Sequence, residues 1–211
     1  MLSILRRLWL RFARPPWAAR QWPKLVKEFG GVPQLHDYLL TKRVIAFVGP
    51  VTEEQFTEGI ARMLFLLDRD ATAEIKVWLH TVGGSAVGGL AFYDMMRDSS
   101  APISTYCLGQ AGGIAALLLA GGAEKRRFVD PYSVVSLVDV SLPGGRQHSN
   151  SAEMWDLHNI RGVLNDLLAA RSGQPDHVIR EATRWGANLS AAAAIRAGFA
   201  DEVEPAAPLL G

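Results

Sequence analysis

Hydrophobic and polar positions along the chain predict strands and helices in alternation. Three apolar runs of strand length, at 43–48, 75–80 and 103–108, are each followed by a segment with helical spacing. Further along, the pattern predicts strands at 126–129, 134–138 and 200–203 and helices at 152–170, 176–185 and 190–198. Because strands and helices alternate, the chain is predicted to be an α/β protein with a largely parallel sheet under helical cover.

Two of the predicted helices carry a start signal. Thr52 and Gln55 have the spacing of a capping box, and Ser85 precedes the next helical segment. The apolar positions then predict which side of each helix faces the core. The expected core residues are Phe56, Ile60, Met63, Leu64 and Leu67 in the first helix, and Val87, Leu90, Ala91 and Met95 in the second.

Glycine-rich turns follow two of the predicted strands, at Gly83-Gly84 and from Gly109 to Gly113. In parallel sheets, functional groups gather where strands end and helices begin. Backbone N–H groups at such turns can hold an oxyanion or a phosphate. Neither turn fits a dinucleotide-binding or Walker pattern, and close packing of a strand against a helix would also explain the glycines.

The charge of the chain is divided unevenly. The 211 residues include 22 basic and 21 acidic residues, but residues 1–27 hold seven of the basic ones and no acid. The remainder, with 15 basic and 21 acidic residues, is therefore acidic. This asymmetry separates a basic leader from an acidic body. We assign the leader to 1–41, a folded domain to 42–204 and a tail to 205–211.

Composition excludes several classes of protein. No apolar run reaches the roughly 18 residues of a membrane span, and the single cysteine, Cys107, forms no internal disulfide. These features favour a reducing, cytoplasmic location. No cluster of His, Cys and Asp has metal-ligand spacing, so neither a metal nor a cofactor is predicted. Nucleic-acid binding is unsupported, because the basic charge is confined to the leader.

The leader has an amphipathic pattern of its own. On a helix, Leu2, Leu5, Leu8, Trp9 and Phe12 would lie opposite Arg6, Arg7, Arg11 and Arg14, and Pro15-Pro16 would end it. Such a helix is suited to an anionic membrane surface or to a partner. A poorly ordered tail is the alternative, and plastid import stays open.

Five stretches of the body together resemble the proteolytic subunit of the ATP-dependent Clp protease, a family of serine peptidases. They are "FVGPVTEEQFTEGIARMLFLL", "IKVWLHTVGGSAVGGLAFYDMM", "ISTYCLGQAGGIAALLLAGGAEKRRFVDPYS", "LLAARSGQP" and "LSAAAAIRAGFADEV", in the order of the family. The resemblance covers 44–203 and implies a crotonase-like spiral of ββα units with a long handle helix. It also implies heptameric rings of ClpP-type subunits, homomeric or heteromeric, stacked through the helix near 152–170. A hexameric AAA+ unfoldase is the implied further partner.

The same resemblance locates the catalytic positions of the family. The serine position falls on Gly113, the histidine position on Val138, and the aspartate position on Gly186. None of these side chains can act as nucleophile, base or orienting acid in a serine peptidase. Gly84 and Ile114 occupy the oxyanion-hole positions, whose donors are backbone N–H groups. Ser136, Asp139 and His148 are the polar residues considered for a relocated triad.

Three functions remain open on this evidence. The leading hypothesis is a non-catalytic, ClpR-like subunit that joins active subunits in Clp rings and supports ATP-dependent protein degradation. A stand-alone crotonase-fold binding or scaffold protein is the second. A serine endopeptidase with a relocated nucleophile is the third, and it requires a nucleophile and a base at hydrogen-bond distance.

Overall fold

The computed structural model describes residues 35–138 and 151–204. The chain forms two compact units, with the boundary after Thr41. The described part of the first unit is a short helix, α1 (Leu35–Thr41). The second unit, from Lys42 onward, holds the sheet and the remaining helices. In the described part of the chain, no helix has both the length and the apolar character needed to cross a membrane.

A seven-stranded sheet forms the centre of the second unit. The strands are β1 (Val44–Val48), β2 (Ile75–Thr81), β3 (Ile103–Gly112), β4 (Arg127–Val129), β5 (Val134–Leu137), β6 (Ala187–Ser190) and β7 (Glu202–Val203). The order β1-β2-β3-β4-β7 is parallel throughout, and β5 pairs in parallel with the last residues of β3. The antiparallel pair is β5 with β6. The expected α/β class with a largely parallel sheet is confirmed.

Helices connect the strands as the sequence predicted. They are α2 (Glu53–Arg69), α3 (Ala86–Arg97), α4 (Ile114–Ala120), α5 (Ser151–Ser172), α6 (Asp176–Trp185) and α7 (Ala191–Arg196). Both start signals are confirmed: Thr52 and Gln55 form a reciprocal capping box, and the Ser85 hydroxyl accepts the N–H of Gly88. All seven residues of α4 are buried, so this apolar segment is the centre of the core.

The predicted core stripes of α2 and α3 were partly wrong. In α2, Phe56 and Met63 are buried as expected, but Leu64 is 52% exposed and Leu66 is buried instead. In α3, Val87 is 54% exposed. The buried residues of α3 are Gly88, Gly89, Phe92, Tyr93 and Met96.

Two glycines explain the different face of α3. A Cβ added to Gly89 would lie 2.1 Å from the Ile114 side chain, and one added to Gly88 would lie 2.9 Å from that of Phe56. The helix therefore approaches its neighbours through its glycine side. A hydrophobicity pattern misses this face because it counts glycine as no contribution to the core.

Two strands of the sheet, β3 and β6, also differ from the prediction. Strand β3 continues to Gly112, four residues beyond the predicted end, so that its final residues can pair with β5. Strand β6 was not predicted at all, because Ala187–Ser190 is a short stretch of small and polar residues with one large apolar side chain, Leu189. Its strand conformation comes from pairing with β5, which is a tertiary contact that local propensity does not report.

Candidate functional site

The two predicted glycine turns lie directly against each other. A Cβ added to Gly112 would lie 2.5 Å from the carbonyl oxygen of Val82, and one added to Gly83 would lie 3.0 Å from that of Gly112. Each turn follows the carboxyl end of a strand, β2 or β3. The turns are adjacent because these two strands are parallel neighbours in the sheet. Close backbone packing is therefore one reason for the glycines.

Gly84 is fixed by a further contact. Val51 donates its N–H to Gly83 and accepts the N–H of Ser85, at 3.0 and 2.9 Å. This bracing brings the chain so near that a Cβ on Gly84 would lie 1.8 Å from the Val51 carbonyl oxygen. Only glycine fits at this position, and the start of α3 is held in place by it.

Gly113 has a backbone conformation that disfavours other residues. Its φ of 53° and ψ of −120° lie in a region where side chains are strained. Its N–H donates to the carbonyl of Ser136 at 3.0 Å, which ties the turn to β5. A Cβ at this position would meet the Cγ2 of Val138 at 3.4 Å, an ordinary contact. The space for a side chain is present, while the backbone conformation favours glycine.

The three positions that the resemblance assigns to a triad meet at Val138. A Cβ on Gly113 would lie 3.4 Å from one methyl group of Val138, and a Cβ on Gly186 would lie 3.9 Å from the other. Gly186 ends α6 in the left-handed conformation, with φ of 69°. Val138 therefore lies between Gly113 and Gly186, and the three residues carry no hydroxyl, imidazole or carboxylate.

A cavity of about 110 Å³ opens beside these positions. Gly113 and Val138 line it together with Gly84 and Ile114, the two residues of the predicted oxyanion hole. In the described part of the structure, the N–H groups of Gly84 and Ile114 donate no hydrogen bond. The structure thus brings both predicted donors to one cavity.

Three polar residues complete the cavity, and sequence reasoning did not single them out. Arg161 and Asn165 come from the long helix α5, and Thr183 comes from α6. Asn165 and Thr183 are almost fully buried, and the Thr183 hydroxyl lies 3.0 Å from the amide oxygen of Asn165. Buried polar residues inside an amphipathic helix were the available signal, but their common cavity depends on how α5 packs against the turns.

Of the three residues considered for a relocated triad, the structure describes Ser136. Ser136 is buried, donates to the amide oxygen of Asn188 at 2.6 Å and accepts from Gln110 at 3.3 Å. Neither partner is a base that could take the hydroxyl proton. Asp139 and His148 lie outside the described residues.

Cys107 is a further nucleophilic side chain near the turns. Its side chain is buried, and burial raises the pKa of the thiol to about 11, in spite of a hydrogen bond from Ser133 that lowers it. A thiol with this pKa is almost entirely protonated at neutral pH and is a poor nucleophile.

Among the described residues, no group of three His, Cys, Asp or Glu side chains could hold a metal ion.

A comparison with protein-family models identifies the relatives of this fold and site. The model described as Clp protease matches residues 31–206, which includes every strand and helix of the described structure. The mixed α/β architecture with a mostly parallel sheet is consistent with the fold of that family. The match begins before the 44–203 region that the five sequence stretches define, and it extends slightly beyond its end.

Proposed function

Because this chain belongs to the Clp protease family, we propose that it is a non-catalytic subunit that assembles with active subunits. Members of this family generally form ring oligomers. The observation that carries the proposal is the meeting of Gly113, Val138 and Gly186 around one point without a reactive side chain. Serine-peptidase chemistry requires a hydroxyl, a base and an orienting carboxylate at that place.

The preserved turns support a structural role for the domain. Val51 braces the Gly84 turn, and Gly113 is tied to β5 through Ser136. A subunit that contributes ring contacts and leaves peptide cleavage to its neighbours needs an intact fold. It does not need a reactive side chain at this position. Losing triad members removes most of the rate of such enzymes, and the oxyanion hole and binding alone leave a small residual rate.

Co-purification tests the assembly. A tagged copy of this chain, expressed in its native cell, is expected to recover a second subunit of the same family that does carry serine, histidine and aspartate. Mass spectrometry of the intact assembly would give the ratio of the two subunits. Recovery of this chain alone, as a monomer or a homomer, would contradict the proposal.

Active-site labelling tests the absence of catalysis. The isolated chain is expected to form no adduct with a fluorophosphonate probe and to leave a fluorogenic peptide intact. The co-purified assembly is expected to be labelled on the partner subunit only. An adduct on any serine of this chain would support a relocated nucleophile instead.

Cytoplasmic location, a double ring and an AAA+ unfoldase partner are parts of the same proposal. Fractionation of the native cell followed by cross-linking would test them together. An unfoldase cross-linked to the assembly supports a role in ATP-dependent degradation. A chain that partners with no unfoldase and no catalytic subunit would fit the binding or scaffold alternative.

A further inference from the structure

A second cavity lies at the opposite end of β3 from the triad positions. Its volume of about 380 Å³ is within the range of small-ligand pockets. Ile103, the first residue of β3, lines it, whereas Gly113 follows the last residue of that strand. The carboxyl ends of helices α3 and α4 form much of the remaining wall. The cavity is therefore separate from the site described above.

Tyr93 of α3 brings a hydroxyl group without a protein partner to this cavity. The residue is only 4% exposed, and its ring covers Gly121, where an added Cβ would lie 2.9 Å from the ring. Among the described residues, the hydroxyl makes no hydrogen bond. Its oxygen is not enclosed by protein, so that it meets the cavity that Tyr93 lines. A buried tyrosine ring usually has a hydrogen-bond partner for its hydroxyl.

Arg171 at the end of α5 brings a positive charge to the same cavity. Its Nε and Nη2 atoms donate to the carbonyl oxygens of Ala120 and Gly122, at 3.0 and 2.7 Å, and so hold the end of α4. In the described part of the chain, its Nη1 atom has no hydrogen-bond partner. The charge of Arg97, the other arginine of the lining, is balanced by two aspartates. Arg171 is therefore the cation that a ligand would meet.

The remaining lining residues indicate the kind of ligand. Met96, Pro102 and Ile103 form an apolar wall, and no aspartate or glutamate lines the cavity. The two serines of the lining already donate to backbone carbonyl groups. The side-chain donors left for a ligand belong to Tyr93 and Arg171, and both suit the oxygens of a carboxylate. The apolar wall beside them suits a hydrocarbon group.

We propose that this cavity binds a small organic acid. The carboxylate accepts hydrogen bonds from Tyr93 and Arg171, and the apolar body packs against Met96, Pro102 and Ile103. Such a ligand joins the ends of α3 and α4 to the start of β3, because each of them contributes to the cavity. The inference goes beyond the proposed function, since the site requires neither a catalytic partner nor a ring.

Three compounds test the ligand chemistry by calorimetric titration of the full chain. The first, 3-phenylpropionate, carries both groups; 3-phenylpropionamide lacks the charge, and acetate lacks the apolar body. We expect 3-phenylpropionate to bind at least ten times as tightly as either of the others. It should also raise the melting temperature, because a ligand that binds only the folded state stabilises that state.

Tyr93→Phe tests the hydroxyl, since it removes the oxygen and keeps the ring over Gly121. We expect it to weaken the binding of 3-phenylpropionate at least tenfold, as the loss of a hydrogen bond to a charged group does. The melting temperature of the free protein should change little. Tyr132→Phe is the matched control, because Tyr132 is 95% exposed and lies outside the cavity.

Ser100→Glu tests the charge of the ligand. Ser100 is exposed and lines the cavity, so that a glutamate there would repel a carboxylate without disturbing the core. We expect Ser100→Glu to bind 3-phenylpropionate at least fivefold more weakly than Ser100→Gln, which has a side chain of similar size and no charge.

Several outcomes would overturn the site. They are no binding of 3-phenylpropionate, binding no tighter than that of the amide or of acetate, and unchanged binding in a folded Tyr93→Phe variant. If Tyr93→Phe fails to fold, equal binding by the two Ser100 variants would overturn it instead. These results leave co-purification with a catalytic subunit untouched, and a failure of co-purification leaves this inference standing.

Discussion

Single glycines decide the local geometry of this protein more than any reactive side chain does. Gly84 has no room for a methyl group beside the Val51 carbonyl, and Gly113 occupies a backbone region that side chains avoid. The two cases differ in kind, since one is a collision with neighbouring backbone and the other is conformational strain. They therefore predict different consequences for substitution.

Substituting Gly84 should be far more harmful than substituting Gly162. In Gly84→Ala the new Cβ would lie 1.8 Å from a backbone oxygen, so we expect a loss of roughly 3 kcal/mol or more, or failure to fold. Gly162 lies within helix α5 with nothing within 4 Å of its Cβ position. Gly162→Ala should stabilise by about 0.5–1 kcal/mol. Urea unfolding of both variants gives the comparison, and similar losses in the two would contradict it.

Restoring catalysis should require all three missing side chains. Gly113→Ser alone should cost about 1–2 kcal/mol through backbone strain and give no labelling by a fluorophosphonate, because Val138 supplies no base. Adding Val138→His and Gly186→Asp places all three groups around one point, and we expect labelling and slow peptide hydrolysis to appear. Labelling of the single variant at the level of the triple one would show that another base acts here.

Elements were predicted well wherever the sequence carries a local signal. Thr52, Gln55 and Ser85 mark helix starts through side-chain to backbone hydrogen bonds, which depend only on residues three apart. Strand β6 and the buried face of α3 depend instead on partners distant in sequence. For the site, the glycine pattern located the two turns, and the resemblance assigned the triad positions. The cavity residues on α5 and α6 could be found only once the helices were packed.

The final strand is joined to the sheet by a partly buried ion pair. Arg127 on β4 donates to both carboxylate oxygens of Asp201, and its side chain is 12% exposed. Burial tends to raise the pKa of Asp201, but the hydrogen bonds and charge of Arg127 outweigh it and hold that pKa below its usual range. The pair therefore stabilises the fold only while the carboxylate is ionised.

Asp201→Asn should destabilise the protein by roughly 1.5–3 kcal/mol at pH 7, the range for hydrogen bonds to charged groups. Because the pKa of Asp201 is lower in the folded state, its contribution is complete above the unfolded pKa of about 4 and is lost as the pH falls through the folded value. The gap between wild type and variant should therefore narrow below pH 4. Urea unfolding at pH 7 and at pH 3 measures it, and an equal gap at both would argue against an ionic contribution.

At the scale of the whole molecule, the basic leader and the acidic body occupy different parts of the sequence. The compact second unit begins at Lys42, and the family match begins at residue 31. The cluster of seven basic residues in 1–27 therefore precedes both. A role for that cluster has to be tested on its own, because the family accounts for the domain that follows it.

Deletion of residues 1–27 should leave the melting temperature unchanged and abolish binding to anionic vesicles. The expected loss follows from removing seven positive charges, which attract an anionic surface by about 1 kcal/mol each. Co-sedimentation with phosphatidylserine vesicles measures binding, and phosphatidylcholine vesicles are the control. Equal sedimentation of the full and shortened chains would assign the leader a role other than membrane contact.

Val138 lies next to both Gly113 and Gly186, and this arrangement has a consequence for the evolution of the protein. Each missing group lies in a different part of the chain, and none is useful without the others. If the proposed function holds, one mutation at these positions therefore does not supply a complete triad, and an assembly that contains this subunit would not gain a cleavage site in one step. The same proposal predicts that the contacts and the cavity of the subunit can vary during evolution without the risk of new proteolysis, because three substitutions separate it from a triad.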